Sequence, residues 1–384
     1  MSAAGPSQGA RPPGGERRAA PIGGDHTSAA GPSQGARPPG GERRAAPIGG
    51  DHTSAPVLEV RGASKHFARR PVLAERVLAA IGRAKPPPVV RAVEAVDLAI
   101  HRGEVVGLVG ESGCGKSTLA RLIAGIHPPT AGEVLFEGRA VHSLEGRERL
   151  DYLLAVQMIF QDPFASLDPR MRVHRIVGEA LAVHRLVPAN ELNAAIDTAL
   201  ADVGLDATYR DRFPHQFSGG QRSRIGIARA LAVKPRVLVC DEPVAALDVS
   251  IQSQVINLFM DLRERHALTY LFVSHNLGLV RLICDRVAIM YLGRIVESGP
   301  VAEIFVRPAH PYTIALLEAI PRISGRKRVF EPVRGELPSP LAPPSGCAFH
   351  PRCPSATAEC RRTRPELRAI APGRIAACHL LTKG

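Results

Sequence analysis

The chain has 384 residues, a formal net charge of +13 at pH 7, 45% hydrophobic residues, 4% aromatic residues and no Trp. That length holds a full hydrophobic core with appendages, and no apolar run is long enough to cross a bilayer as a helix. The positive balance is a weak argument for nucleic-acid binding: all but six of the 49 basic residues are Arg, aromatic stacking platforms are sparse, and a basic surface beside anionic lipid headgroups fits the same charge.

Residues 2–27 recur unchanged as residues 28–53. The repeated unit has almost no large apolar residues beyond Ile22 and Ile48, so it cannot offset the entropy of folding. Residues 1–56 are therefore expected to be a disordered tandem-repeat arm. The Gly-, Pro- and Arg-rich start has no apolar stretch of the secretory kind. Folded sequence is expected from residues 57–60, an alternating strand pattern. Residues 68–90, with Pro86-Pro87-Pro88, read as an inserted loop separating Phe67 from a second strand over 93–100.

Residues 104–109 are a short apolar run and read as a buried strand. Then comes Gly110-Glu111-Ser112-Gly113-Cys114-Gly115-Lys116-Ser117-Thr118, a complete G-x-x-x-x-G-K-S/T loop, and a helix over 118–124 stopped by Gly125. Strand, glycine loop and helix together make a phosphate site. The glycines let consecutive N–H groups curl around phosphate oxygens, and the helix N-terminus adds partial positive charge. Gly110, Ser112, Gly113, Cys114, Gly115, Lys116, Ser117 and Thr118 are the expected ATP-binding residues. Lys116 would reach the β- and γ-phosphates and Ser117 would ligate Mg²⁺. Residues 172–215 are mostly helical in pattern. Phe217-Ser218-Gly219-Gly220-Gln221-Arg222 reads as an N-cap, two glycines and a helix start, a second phosphate-binding terminus. One nucleotide does not need two such loops; two nucleotides between two paired domains do. Residues 236–242 read as a buried strand ending in two carboxylates. Asp241 is placed to hold Mg²⁺ through water, and Glu242 to act as base or orienter for the attacking water.

With these motifs in this order, the chain resembles the ABC-type ATPases. Ser218-Gly219-Gly220-Gln221 is similar to that family's signature motif. The resemblance also identifies Gln161 with the Q-loop, a contact to Mg²⁺, Asp248 with the D-loop, His275 with the catalytic switch histidine, and Phe67 with the aromatic that stacks on adenine. It implies that Ser218, Gly219, Gly220 and Gln221 act in trans, on a nucleotide held by a partner. The wording of Phe160-Gln161-Asp162-Pro163, Met290-Tyr291-Leu292-Gly293-Arg294 and His310-Pro311-Tyr312-Thr313 is similar to the oligopeptide/dipeptide importers, and within them to the F-type ATP-binding subunit. Ser223 and Asn276 depart from the subfamily, which usually has Gln and Asp there; tuned contacts are expected rather than lost activity.

The resemblance implies an α/β P-loop NTPase of ABC type, with a RecA-like core, an antiparallel β subdomain and a helical subdomain over 57–320. It implies a C-terminal extension over 321–384. In that tail, Cys347, Cys353, Cys360 and Cys378 cluster within 32 residues. Such thiols are expected to be metal ligands rather than disulfides. Their spacing lacks the paired C-x₂-C of zinc sites. Four thiolates suit an iron–sulfur cluster, and the resembling subfamily often carries [4Fe–4S] here; Zn²⁺ and free thiols are the alternatives. Cys114, Cys240 and Cys284 read as a loop residue and two core residues. The expected function is ATP hydrolysis that powers import of oligopeptides, dipeptides or small solutes such as nickel. The expected partners are a second ATP-binding subunit, two membrane permease subunits and an extracytoplasmic solute-binding protein, with no nucleic acid. The expected place is peripheral, on the cytoplasmic face of the inner membrane. A translation- or repair-type ATPase would need a second cassette or long coiled coils. A nucleic-acid regulator built on the tail would need aromatics and a helix-turn-helix pattern. Aromatics are scarce, and no second cassette, long coiled coil or helix-turn-helix pattern is seen in the sequence.

Overall fold

The computed structural model describes residues 55–68, 88–162, 166–320 and 335–381. The repeat arm, most of the inserted loop, Pro163 to Ala165 and the start of the tail lie outside the described residues. Twelve described strands are numbered in chain order: β1 (Leu58–Ala68), β2 (Val89–Ile100), β3 (Val105–Val109), β4 (Ala131–Phe136), β5 (Arg139–Ala140), β6 (Val156–Ile159), β7 (Val237–Asp241), β8 (Thr269–Ser274), β9 (Arg286–Tyr291), β10 (Arg294–Pro300), β11 (Arg368–Ala371) and β12 (Arg374–Ala376). They form two sheets. The smaller is antiparallel, in the order β2-β1-β4-β5; the larger runs β11-β12-β10-β9-β3-β8-β7-β6. In the larger sheet β9, β3, β8, β7 and β6 are parallel, and the edge beyond β9 is antiparallel.

The central strands are buried on both faces, which is why they read as continuous apolar runs without polar alternation. Every residue of β3, β7 and β8 is buried. Their side chains alternate between two cores, as the period-2 geometry of a strand requires. Val105 and Val109 join Leu238, Cys240, Tyr270 and Phe272 in one core, while Val106 and Leu108 join Val237, Val239, Leu271 and Val273 in the other. The helices Val173–Val183, Leu192–Asp202 and Gly219–Ala232 pack together through Ile176, Val177, Ile196, Leu200, Ile225 and Ala228.

Element bounds differ from the sequence expectation in three places. Strand β1 runs on to Ala68 and carries Phe67 at its end. Val89 and Val90 belong to β2, not to a loop, because they pair with Ala68 and Phe67. The helix after the phosphate loop is Lys116–Ile123, two residues earlier than its apolar pattern implies. Its N-cap, Gly115, has φ +109, and a Cβ there would run into the Ala92 carbonyl oxygen, so glycine alone fits.

The C-terminal strands extend the main sheet: Glu297 and Ser298 of β10 pair with Ala376 and Ile375 of β12. A buried ion pair locks this edge, Arg374 Nη2 donating to Glu297 Oε1 at 3.2 Å. Glu297 also accepts the backbone N–H groups of Ala309 at 2.8 Å and His310 at 2.9 Å.

Candidate active site

In a doubly wound α/β sheet, ligands bind beyond the carboxyl ends of the parallel strands. The phosphate loop follows β3, Gln161 follows β6, Glu242 follows β7 and His275 follows β8, so four separate chain segments arrive at one edge. They line a cleft of about 620 Å³ with Phe67, Ser112, Gly113, Cys114, Gly115, Lys116, Ser117 and Thr118.

One residue braces the loop internally and another joins it to the acidic strand end. Lys116 Nζ donates to the carbonyls of Gly110 at 2.8 Å and Glu111 at 2.9 Å. Ser117 Oγ donates to Asp241 Oδ1 at 2.9 Å. Burial pushes the Asp241 carboxyl above its ordinary range, and the Ser117 hydroxyl opposes that shift. A divalent cation between Ser117 and Asp241 would offset the same desolvation, since a nearby positive charge favours the ionised acid. Glu242 is the hub of the opposite wall. Its Oε2 accepts from Gln161 Nε2 at 3.0 Å and lies 3.1 Å from His275 Nδ1. Its backbone has φ +49, a left-handed conformation that non-glycine residues rarely adopt and that clusters at working sites.

Phe67 is 40% exposed, with its ring at 79° to that of His127, 5.7 Å between centroids, and Lys65 Nζ over the ring 5.4 Å from its centroid. Gly110 is cramped: a Cβ there would strike the Met290 carbonyl oxygen and lie 2.7 Å from Cys114 Sγ. Burial pushes the Cys114 thiol up, so it stays protonated at neutral pH and packs beneath the loop.

Ser218 and Gln221 form a reciprocal cap. Ser218 Oγ accepts the Gln221 N–H at 3.3 Å, and Gln221 Oε1 accepts the Ser218 N–H at 3.1 Å. The helix N-terminus expected at Gly219 is thus present. Ser218, Gly219, Gly220, Gln221 and Asp248 are not among the residues lining the cleft. Ser218 and Asp248 are solvent-exposed. The two departures from the subfamily have structural uses: Asn276 Oδ1 caps helix Leu277–Ile283 by accepting from Gly278 at 2.9 Å and Leu279 at 3.3 Å, and Ser223 is buried in helix Gly219–Ala232.

Sequence reasoning missed part of the cleft. Val90, Arg91, Ala92, Leu292, Gly293 and Pro340 also line it. Leu292 and Gly293 form the β9–β10 turn, both with positive φ, and the Gly293 N–H donates to the Cys114 carbonyl at 2.7 Å. The Leu-Gly pair between two apolar runs was a legible hairpin signal. Pro340 reaches the cleft through a contact invisible in sequence, its carbonyl accepting the Arg91 N–H at 3.3 Å.

The chain matches the family described as "ABC transporter" over residues 93–245 and the one described as "Oligopeptide/dipeptide transporter, C-terminal region" over 296–360. It is 46% identical over 328 residues to the oligopeptide transport ATP-binding protein AppF of Bacillus subtilis, spanning 84% of this chain and 97% of AppF. It belongs to the ABC transporter family. As an ABC ATP-binding protein it is an ATPase. Among solved structures, cbiO1 of Clostridium perfringens, part of the ABC transporter complex cbiONQ, superimposes with a TM-score of 0.54 at 27% identity, covering 66% of this chain and 92% of its own. The ATP-binding cassette MJ0796, solved as a dimer with ADP and Pi, gives 0.54 at 24% identity over 64% of this chain and 98% of its own, a likeness of fold. No described helix of this ABC protein is long and apolar enough to cross a membrane.

The tail thiols differ from expectation. Cys347, Cys353, Cys360 and Cys378 lie within electrostatic reach of one another, and burial pushes the thiols of Cys347, Cys353 and Cys378 up. Among the described residues, however, no group of three or more His, Cys, Asp or Glu side chains is arranged to hold a metal ion. The residues as placed do not form a ligand set for zinc, and nothing here supports the iron–sulfur expectation beyond the thiols' proximity.

Proposed function

We propose that this chain is the ATP-hydrolysing subunit of an importer for oligopeptides or dipeptides, or for related small solutes such as nickel. The observation that carries the reading is the division of the phosphate-handling residues. Lys116, Ser117, Gln161, Glu242 and His275 line one cleft, with buried Asp241 held behind Ser117, while the exposed Ser218 helix terminus is not part of its lining. A second subunit's cleft is the fitting place for Ser218, Gly219, Gly220 and Gln221, with Asp248 at the same junction. The kinship to AppF supports peptide as the cargo. Partners of such a subunit are a second ATP-binding subunit, two permeases and an extracytoplasmic solute-binding protein. It would work at the cytoplasmic face of the inner membrane.

In the reaction, Phe67 takes the adenine face and the N–H groups of the phosphate loop, through Thr118, take the phosphate oxygens. Lys116 exchanges its loop carbonyls for the β- and γ-phosphates. Ser117, Asp241 and Gln161 would hold Mg²⁺, which neutralises phosphate charge. Glu242 orients the attacking water and accepts its proton as oxygen bonds to the γ-phosphorus and the bond to ADP breaks. His275, beside Glu242, orients the γ-phosphate. Co-purification of the full chain with detergent-solubilised permeases, and ATP-dependent peptide uptake by that assembly in vesicles, tests the reading; an ATPase that associates with no permease would overturn it.

The finer reading of the tail is a [4Fe–4S] cluster on Cys347, Cys353, Cys360 and Cys378, supported by four neighbouring thiols in one segment. Loading such a cluster would require the thiols to release their protons and to move together. Iron analysis of protein purified without oxygen tests it; stoichiometric zinc, or no iron, rejects it.

A further inference from the structure

Glu111, the second residue of the phosphate loop, has its N–H and its carboxylate engaged from outside the loop. Its N–H donates to Tyr312 Oη at 2.9 Å. Its carbonyl accepts from Lys116 Nζ at 2.9 Å. Its carboxylate takes a two-pronged contact from Arg352, Nη1 to Oε2 at 2.8 Å and Nη2 to Oε1 at 2.9 Å. Arg352 lies 241 residues downstream in the C-terminal segment. Its side chain is 6% exposed and that of Glu111 23% exposed, so the pair is largely but not wholly shielded from water. The guanidinium sits 5.8 Å from the Tyr291 ring and 6.0 Å from the Phe349 ring. Those rings pack against Tyr312, with centroids 4.6 Å from Tyr291 and 5.4 Å from Phe349. A forked, planar donor held among aromatic rings fixes both the position and the rotation of the carboxylate it grips.

We infer that Arg352 is a positioning residue for the phosphate loop: by clamping Glu111 it sets the loop's shape for ATP and makes nucleotide affinity depend on docking of the C-terminal segment. The inference rests on the reading of the cleft as the ATP site. Arg352 lies below the loop rather than among the cleft-lining residues, so its effect passes through Glu111. The carbonyl of Glu111 also tethers Lys116, hence a displaced Glu111 shifts the one lysine aimed at the phosphates. Loss of the clamp should weaken ATP binding while leaving the Glu242 side of the cleft intact.

The test is equilibrium titration of the full-length chain with a fluorescent ATP analogue, alongside steady-state ATPase kinetics. Arg352→Gln should raise the nucleotide Kd and the KM for ATP on the order of tenfold, with kcat nearly unchanged. Arg352→Lys keeps the charge but not the fork and should fall between wild type and Arg352→Gln. Glu111→Gln combined with Arg352→Gln should bind no worse than the weaker single variant, because both remove one contact. Additive losses in the double variant, or an Arg352→Gln chain that binds as wild type does, would overturn the inference. A wild-type chain that binds no ATP overturns the reading of the cleft itself and the inference with it.

Discussion

Acid should loosen the packing beneath the phosphate loop through one residue, His310. Its side chain is 1% exposed, and its Nδ1 accepts the Tyr312 N–H at 3.0 Å, capping helix Pro311–Glu318. Burial lowers its pKa from 6.5 to about 4. The folded ring is therefore neutral where the unfolded ring, with an ordinary histidine pKa of about 6.5, takes a proton. This contribution to stability is complete above the unfolded pKa. It declines as pH falls from about 6.5 and is exhausted once pH passes below about 4. The interval of about 2.5 pK units corresponds to about 3 kcal/mol, at about 1.4 kcal/mol for each unit. Protonation would also turn the accepting nitrogen into a donor facing the Tyr312 N–H. The assay is urea unfolding at a series of pH values from 7 to 4, for wild type and His310→Asn. Asn keeps a capping acceptor but does not titrate, and carboxylate contributions common to both proteins cancel. Wild type should lose about 3 kcal/mol more than the variant across that range. Parallel stability curves would refute the reasoning.

Other outcomes follow from single contacts. Glu242→Gln removes the charge on the group that Gln161 and His275 share; ATP turnover should fall about 10²- to 10⁴-fold with nucleotide affinity retained, read by kinetics and titration together. At Gly219 a Cβ would meet only Leu247 Cδ2, at 3.6 Å, so Gly219→Val should fold and bind nucleotide as an isolated chain, yet fail to pair in ATP-dependent sedimentation. Arg374→Ala leaves the buried Glu297 carboxylate without its cation and should cost about 3 kcal/mol in urea unfolding.

Residues 105–109 and 237–241 were readable as buried strands because both faces of the central sheet are covered, which makes burial visible as an unbroken apolar run. The phosphate loop, Asp241 and Glu242 were readable because each lies within a few residues of such a strand, and strand-to-loop geometry is local. The Ser218 cap was readable because a reciprocal cap spans only three residues. The cleft's remaining walls were not. Arg91, Leu292 and Pro340 arrive from three different segments, and their approach depends on how the small sheet, the β9–β10 turn and the tail come together. Cysteine spacing likewise signalled a cluster of thiols but could not say whether their Sγ atoms converge, because convergence is a matter of turn geometry among residues 347–378.

Local sequence thus settles which strands are buried, where the glycine loop bends and which acids stand at a strand's end, because those properties depend on period, backbone freedom and neighbours a few residues away. The clamp of Arg352 on Glu111, the pairing of β12 with β10 around the Arg374–Glu297 contact, and the suppressed basicity of His310 depend on chain segments 13 to 241 residues apart. Their energies come from desolvating charge and polar groups in a shared interior, and that interior exists only once the distant segments have packed.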